Sequence, residues 1–215
     1  MCPSNDRHVL KRRIDPELSW TVQREGDVLL KEYCLHRWWG FVKRPWRREH
    51  GALSRLNKRQ VPAPQTLGFD TPRFGVVRYR RGFVPGRAVD GLRQEQVLAL
   101  SAHFRALHGA GVTNGDVSYP NLLLADGGEF MFIDYGRAHV FFMRSPLFHF
   151  YVGKELARAR RRLFPSDVSQ WRIFVSAYMR AVALPSWALA ITRWSLSYWL
   201  RRWNIACEAA DLQSS

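Results

Sequence analysis

The sequence predicts an α+β protein of two lobes, a small N-terminal antiparallel sheet followed by a mainly helical C-terminal part. Three observations carry this prediction: short β-rich runs broken by tight turns before Gly82, apolar residues at helical spacing from Gln94 onward, and a loop and hairpin in succession after the Gln94 helix. A chain of 215 residues buries a sizeable core, and nothing in it reads as a Ser/Gly linker, a repeat or a low-complexity tract. One folding unit over 1–215 is expected, with a sheet lobe at about 7–82, a hinge at about 82–86 and a helical lobe at about 87–210.

In the first lobe, Trp20 to Arg24 and Val28 to Tyr33 read as strands, with Glu25, Gly26 and Asp27 as the hairpin turn between them. Phe74 to Tyr79 is a further strand. It leads to Gly82, Phe83 and Val84, extended backbone suited to a hinge, after which Pro85 and Gly86 turn the chain away. The stretch Gln94 to His108 sets Val97, Phe104 and Leu107 at helical spacing with Leu100 near the same face, the pattern of a buried helix. His108 reads as a capping or packing residue. The basic run Arg158, Arg160, Arg161 and Arg162 belongs to a helix whose Leu156 and Leu163 face inward, leaving the arginines for solvent or an anionic surface. A following helix, capped by Ser166, carries Val168, Trp171, Val175, Tyr178 and Val182 at core spacing. Along Ser186 to Cys207, Leu189, Leu196, Trp199, Leu200 and Trp203 share one helical face flanked by Arg201 and Arg202, and Trp187, Ile191 and Trp194 share the other. The first face is expected to pack on the large lobe and the second to rest among lipid headgroups.

The chemistry concentrates in the middle of the chain. Asp116 stands in a loop after the Gln94 helix, Asn121 follows five residues later, and the apolar run Leu122 to Leu124 comes next. After a turn at Asp126, Gly127 and Gly128, the strand Phe130 to Ile133 runs into Asp134, Tyr135 and Gly136. Either pair alone is common in loops, where Asp and Asn simply make turns; the order of helix, loop, hairpin and terminal carboxylate gives it meaning. Phosphoryl transfer requires metal ions that neutralise phosphates and one carboxylate that receives the acceptor's proton. Asp116 is the candidate base. Asn121 and Asp134 offer hard oxygen ligands of the kind Mg²⁺ accepts while keeping water and phosphate in its shell. ATP and Mg²⁺ are therefore the expected donor and cofactor, with the backbone of Gly82, Phe83 and Val84 expected to meet the adenine.

Over about residues 20 to 180 the chain resembles the small bacterial sugar kinases of the lipopolysaccharide inner core, the Kdo kinase and WaaP type, within the protein-kinase-like superfamily. Val28 to Tyr33 looks like the strand whose Lys contacts the α and β phosphates, and Arg47 to Leu53 like the helix whose Glu pairs with that Lys, which implies roles for Lys31 and Glu49. The aromatic and basic run Trp38 to Glu49, followed by Val61-Pro62-Ala63-Pro64, is similar to the lead-in and link of those sugar kinases. The resemblance implies a protein-kinase-like fold and an ATP-dependent phosphotransferase acting on an alcohol group, with the core glycolipid as acceptor at the cytoplasmic face of the inner membrane. Two departures stand against it. Residues 7 to 24, where a phosphate-covering Gly-rich loop belongs, contain no glycine, and Asn114 replaces the His usual two residues before the base. They leave a pseudokinase as one alternative; a small protein kinase or ATPase that partners a tRNA-modifying complex is another.

Composition narrows the partners. A net charge of +15, from 33 Lys and Arg against 18 Asp and Glu, calls for a polyanion. No apolar stretch reaches the roughly 20 residues that span a bilayer, and the Trp- and Arg-rich C-terminus favours peripheral contact with an anionic membrane over nucleic acid. Cys2, Cys34 and Cys207 are scattered, which suggests neither a disulfide framework nor a zinc site, and the first residues lack the apolar core of a secretory signal. A cytoplasmic protein at the inner face of the membrane is expected.

Overall fold

The computed structural model describes residues 8–13, 18–36, 44–181 and 184–205. The strands β1 (His8–Arg13), β2 (Leu18–Glu25), β3 (Val28–Leu35), β4 (Thr66–Arg73) and β5 (Val76–Gly82) form one antiparallel sheet in the order β1-β2-β3-β5-β4. The helix α1 (Pro45–Lys58) crosses it between β3 and β4, starting with Pro45 where a missing amide costs nothing. Gly26 occupies the turn between β2 and β3 with φ +59°, a conformation open to glycine, and Val22 stands opposite Lys31 across the ladder.

The second lobe begins with β6 (Gly86–Ala88) and α2 (Gln94–Gly109), and is completed by α3 (Pro146–Leu163), α4 (Val168–Ala181) and α5 (Ser186–Arg202). Between α2 and α3 lie β7 (Val112–Thr113), a single 3₁₀ turn (Tyr119–Asn121), β8 (Leu122–Ala125), β9 (Phe130–Phe132) and β10 (His139–Val140). The sheets β6-β8-β9 and β10-β7 pin the loops between these strands to the floor of the lobe. One apolar core runs through both lobes, from Tyr33, Leu53 and Tyr79 to Leu100, Phe104, Phe132, Leu156 and Phe174. The structure has the α+β, two-lobed architecture expected from the sequence.

Three details differ from expectation. The strand expected at Phe74 begins instead at Val76, because Phe74 and Gly75 form the turn between β4 and β5; Phe74 is 92% exposed and Gly75 has φ +77°. The cap of α4 is Asp167 rather than Ser166: its carboxylate accepts from the Gln170 amide at 2.8 Å and the Ser169 hydroxyl at 2.7 Å. The arginines of α3 are not a solvated row. Arg160 is buried and donates to the carbonyls of Phe164 and Pro165, and Arg158 donates to the Gly115 carbonyl at 2.7 Å. Trp38 to Lys43 and Val182, to which sequence reasoning gave roles, lie outside the described residues, as do residues 14–17 at the β1–β2 connection.

The two faces of α5 separate as their composition predicts. Leu196 and Leu200 are buried against α3 and Trp199 half-buried, while Trp187 and Trp194 are 46% and 57% exposed. The close approach of α3 and α5 depends on Gly153: a Cβ there would meet the Thr192 carbonyl at 2.5 Å and Ser195 Cβ at 2.6 Å.

His103, buried on α2 against the Phe132 ring, supplies a pH-dependent component of stability. Burial, aided by the nearby His108, lowers its pKa from 6.5 to about 4. The folded state therefore favours the neutral ring, so the stabilisation is complete above pH 6.5 and is lost as pH falls from 6.5 to 4, by about 3 kcal/mol at about 1.4 kcal/mol per unit. Urea unfolding of His103→Phe at pH 7 and pH 4.5 is expected to show a smaller acid-induced drop in midpoint than the native chain; equal drops would remove His103 as the source.

Candidate active site

The elements around the interlobe cleft bring charged side chains from distant parts of the chain into one cluster. Lys31 projects from β3, the central strand of the five, so it is buried as an edge lysine would not be. Its ammonium donates to both oxygens of Glu49 on α1, at 2.8 and 3.0 Å, and reaches Asp134 Oδ1 at 3.3 Å. Arg81, near the end of β5 and 3% exposed, adds a second cation with Nε 3.4 Å from Glu49 Oε1. Two carboxylates and two cations thus neutralise one another in a site that is buried at Lys31, Glu49 and Arg81 and open to the cleft at Asp134. Burial pushes the Glu49 carboxyl up, opposed by Lys31 and Arg81. Burial acts in the same sense on Asp134, but Lys31, the Gly136 amide and Arg81 outweigh it and hold that carboxyl below its ordinary value.

The catalytic-loop candidates are held by backbone bonds. Gly115 has φ +77°, and a Cβ there would stand 2.2 Å from the Arg137 carbonyl, so only glycine lets the chain enter Asp116 so close to the loop after Asp134. Asn121 sits on the 3₁₀ turn; its amide nitrogen donates to the Asp116 carbonyl at 3.1 Å, and its own carbonyl accepts from the Ile133 amide at 2.9 Å. This last bond puts Asn121 beside the strand end that delivers Asp134. Asp116 and Asp134 line a cleft of about 420 Å³ together with Lys31, Tyr33, Arg48 and Arg137.

Asn114, read from sequence as a departure, joins both halves of the site. Its side chain accepts from the Asp116 amide at 2.8 Å and donates to the Asp134 carbonyl at 3.1 Å, while its own amide donates to Glu155 at 3.0 Å. Wholly buried, it ties the loop of the candidate base to the loop of the metal-site candidate. Glu155 in turn lies 3.7 Å from His108, whose other ring nitrogen is 2.7 Å from the Tyr178 hydroxyl.

The hinge candidates are placed differently. Gly82 closes β5, its amide donating to the Gln65 carbonyl at 2.7 Å, and the Phe83 amide donates to the Asp27 carbonyl at 2.7 Å. The Phe83 ring lies beneath the Arg24 guanidinium at 3.7 Å. Gly82, Phe83 and Val84 are half-buried and not among the residues that line the cleft holding Lys31 and Asp134.

The donor set fits Mg²⁺: Asp134 is an ionised carboxylate with its side chain 38% exposed to the cleft, and Asn121 commits its amide nitrogen to protein, leaving the amide oxygen as the donor atom. Among the described residues no cluster of three or more His, Cys, Asp or Glu side chains offers an alternative metal site. Sequence reasoning missed Arg81 and Glu155, and read Arg162 only as part of a basic run, whereas it meets Asp116 from α3 at 2.8 Å. No local motif announces any of the three, since each acts through tertiary placement.

Solved structures match this chain over most of its length. A co-crystal structure of WbdD with the kinase inhibitor LY294002 aligns with a TM-score of 0.50 at 14% identity, covering 97% of this chain and 52% of that one. The crystal structure of an aminoglycoside-3'-phosphotransferase of type VIII aligns with a TM-score of 0.54 at 16% identity, covering 90% and 93%. A structure of the bifunctional kinase-methyltransferase WbdD gives 0.46 at 13% identity, covering 82% and 47%. The chain spans about half the length of the WbdD chains it matches. No protein-family model matches the sequence, and no curated protein matches it. The likeness to the phosphotransferase establishes the fold: a protein-kinase-like arrangement of a small antiparallel sheet lobe and a mainly helical lobe.

The double role of Asn114 is measurable as stability. Asn114→Ala leaves the Asp116 amide and the Asp134 carbonyl without their partner and is expected to cost about 2–4 kcal/mol in urea unfolding. Asn114→Asp keeps the acceptor but loses the donor to the Asp134 carbonyl and adds a buried charge on a residue whose amide already meets the Glu155 carboxylate, and is expected to cost as much. An unchanged midpoint for either would show that the bridge carries no weight.

Proposed function

We propose that this protein is an ATP-dependent kinase that phosphorylates a sugar hydroxyl, Kdo or heptose, of the lipopolysaccharide inner core at the cytoplasmic face of the inner membrane. The observation that carries the phosphotransferase reading is the chain of contacts from Glu49 through Lys31 to Asp134, in a cleft that Asp116 also lines. The choice of core sugar rests on the resemblance in sequence.

In this reading Glu49 aims the Lys31 ammonium at the α and β phosphates of ATP. When phosphate oxygens arrive, the long 3.3 Å contact to Asp134 is the one released. Asp134 and Asn121 would hold Mg²⁺, which supplies charge neutralisation at the phosphates. Asp116 accepts the proton of the acceptor hydroxyl as its oxygen bonds to the γ-phosphorus; the bond from that phosphorus to the bridging oxygen breaks, and ADP leaves with the electron pair. Arg48 and Arg137 at the cleft wall suit anionic groups of donor or acceptor.

Contact with the membrane is supported by the outer face of α5. Trp194 stacks on Tyr198 at 5.9 Å and touches Phe150; at the border with the packed face, Lys154 of α3 lies 4.2 Å over the Trp199 ring and Arg161 over Trp203. Exposed tryptophans among cations suit an anionic headgroup layer. Among the described residues no helix is long and apolar enough to cross a membrane. A second reading, a catalytically inactive nucleotide-free relative, is favoured by one observation: the amides of Gly82 and Phe83 are spent on protein carbonyls.

Transfer of labelled γ-phosphate from Mg-ATP to dephosphorylated core glycolipid tests the proposal. Asp116→Ala is expected to retain Mg-ATP binding and lose about two to four orders of magnitude in turnover, as loss of a general base does. Asp134→Ala is expected to lose metal-dependent nucleotide binding itself. Native activity in either variant would sink the assignment, and a native chain that binds no nucleotide would leave the inactive reading.

The membrane contact has its own test. Trp187→Gln with Trp194→Gln leaves the buried face of α5 intact and is expected to reduce sedimentation with phosphatidylglycerol vesicles about tenfold, with a cooperative unfolding transition lowered only by the lost ring contacts to His149, Phe150 and Tyr198. Undiminished binding would assign these tryptophans no part in it.

A further inference from the structure

Asp116 is engaged on two sides. Towards the sheet lobe it shares the cleft with Lys31 and Asp134; towards the helical lobe its Oδ1 accepts from Arg162 at 2.8 Å. This second contact is open to solvent, with the side chains of Arg162 and Asp116 at 44% and 26% exposure. Arg162 is not alone there. One turn earlier on α3, Arg158 donates to the carbonyl of Gly115, the residue before Asp116, and Arg137 faces the same ground from the loop that packs on Gly115. Burial lowers the Arg158 pKa; Glu155 and Asp116 offset this, and Arg162 and Arg137 add to it, so the three guanidiniums sense one another. One arginine thus bonds the part-buried Asp116 carboxylate and a second the carbonyl just before it, with Arg137 on the adjoining loop and Glu155 buried behind them, already bonded to the Asn114 amide.

We infer that Arg162, supported by Arg158 and Arg137, forms a subsite for an anionic group of the acceptor, a carboxylate or phosphate, that takes the Arg162 guanidinium from Asp116 as the acceptor seats. The inference rests on the kinase reading for the role of Asp116 as base. An exposed ion pair of this kind contributes little stability, so exchanging one anionic partner for another costs little. A guanidinium can hold a carboxylate or phosphate through two parallel bonds, which makes it the suitable side chain for the exchange. The pair then acts as a gate: the guanidinium occupies Oδ1 of Asp116, and that oxygen is open to the acceptor hydroxyl only once the acceptor's own charge has drawn Arg162 away. Phosphoryl transfer to water in the empty site is restrained by the same contact.

Competition between Asp116 and an added anion tests this without any catalytic readout. Binding of inorganic phosphate, and separately of acetate, is measured by calorimetry on the native chain, on Asp116→Asn, on Arg162→Gln and on the double variant. Asp116→Asn frees the guanidinium and is expected to tighten binding about tenfold, the factor for one charge-assisted contact. Arg162→Gln is expected to weaken it about tenfold, and the double variant to lose the gain shown by Asp116→Asn, as a double-mutant cycle requires for a shared contact. A preference for phosphate or for acetate distinguishes a phosphorylated from a carboxylated acceptor. A gain from Asp116→Asn that persists without Arg162 would place the anion at Lys31 instead and overturn the subsite, as would binding indifferent to both substitutions. Binding that follows the predicted cycle in a chain that transfers no label to any acceptor would sustain the subsite and overturn the kinase reading.

Discussion

The ion cluster of Lys31, Glu49, Arg81 and Asp134 is the interaction on which the rest of the architecture depends. Glu49 is wholly buried, and a carboxylate without water needs cations to remain charged. Both cations come from the sheet, one from β3 and one from β5, and the second carboxylate comes from the helical lobe. The position of α1 on the sheet and the closure of the two lobes are therefore one electrostatic problem. Removing a single member leaves an uncompensated buried charge, at a cost of about 3–5 kcal/mol.

The helical lobe meets this requirement through short connections rather than large surfaces. Asn114, the carbonyl of Asn121 and the glycine at 115 fix the loops of Asp116 and Asp134 against each other within a few residues of backbone. The apolar core beneath, with Leu100, Phe104 and Phe132 fully buried, provides the rigid floor. Order at the site follows from satisfied backbone polar groups at positions where burial makes every missing partner costly.

Much of this was legible in the sequence, and the limits have physical causes. Asp116, Asn121 and Asp134 could be found because their spacing is set by local elements: a helix end, one turn and a hairpin. The helix from Gln94 and the hairpin turn at Gly26 followed from periodicity and turn chemistry in the same way. The strand before the hinge was displaced because an exposed aromatic, Phe74, reads as strand although Gly75 beside it turns the chain. The arginines of α3 read as a surface row because spacing along a helix reveals its apolar stripe but not what approaches the remaining faces; here the loop of Asp116 does. Arg81 looks like an ordinary charged strand residue until α1 brings Glu49 over it. Asn114 appeared as a missing histidine, and its two hydrogen bonds became visible only once Asp116 and Asp134 were neighbours in space. The amides of Gly82 and Phe83 pair with carbonyls of Gln65 and Asp27 that are remote along the chain, contacts that no local pattern announces.

The glycine at 153 has a mechanical meaning. With no side chain between them, α3 and α5 lie so close that neither can slide or rotate without the other. The same α3 grips the carbonyl of Gly115 through Arg158 and the carboxylate of Asp116 through Arg162. The aromatic surface of α5 and the loop that holds Asp116 are thus both anchored to α3, one through close helix packing at Gly153 and the other through two arginine contacts.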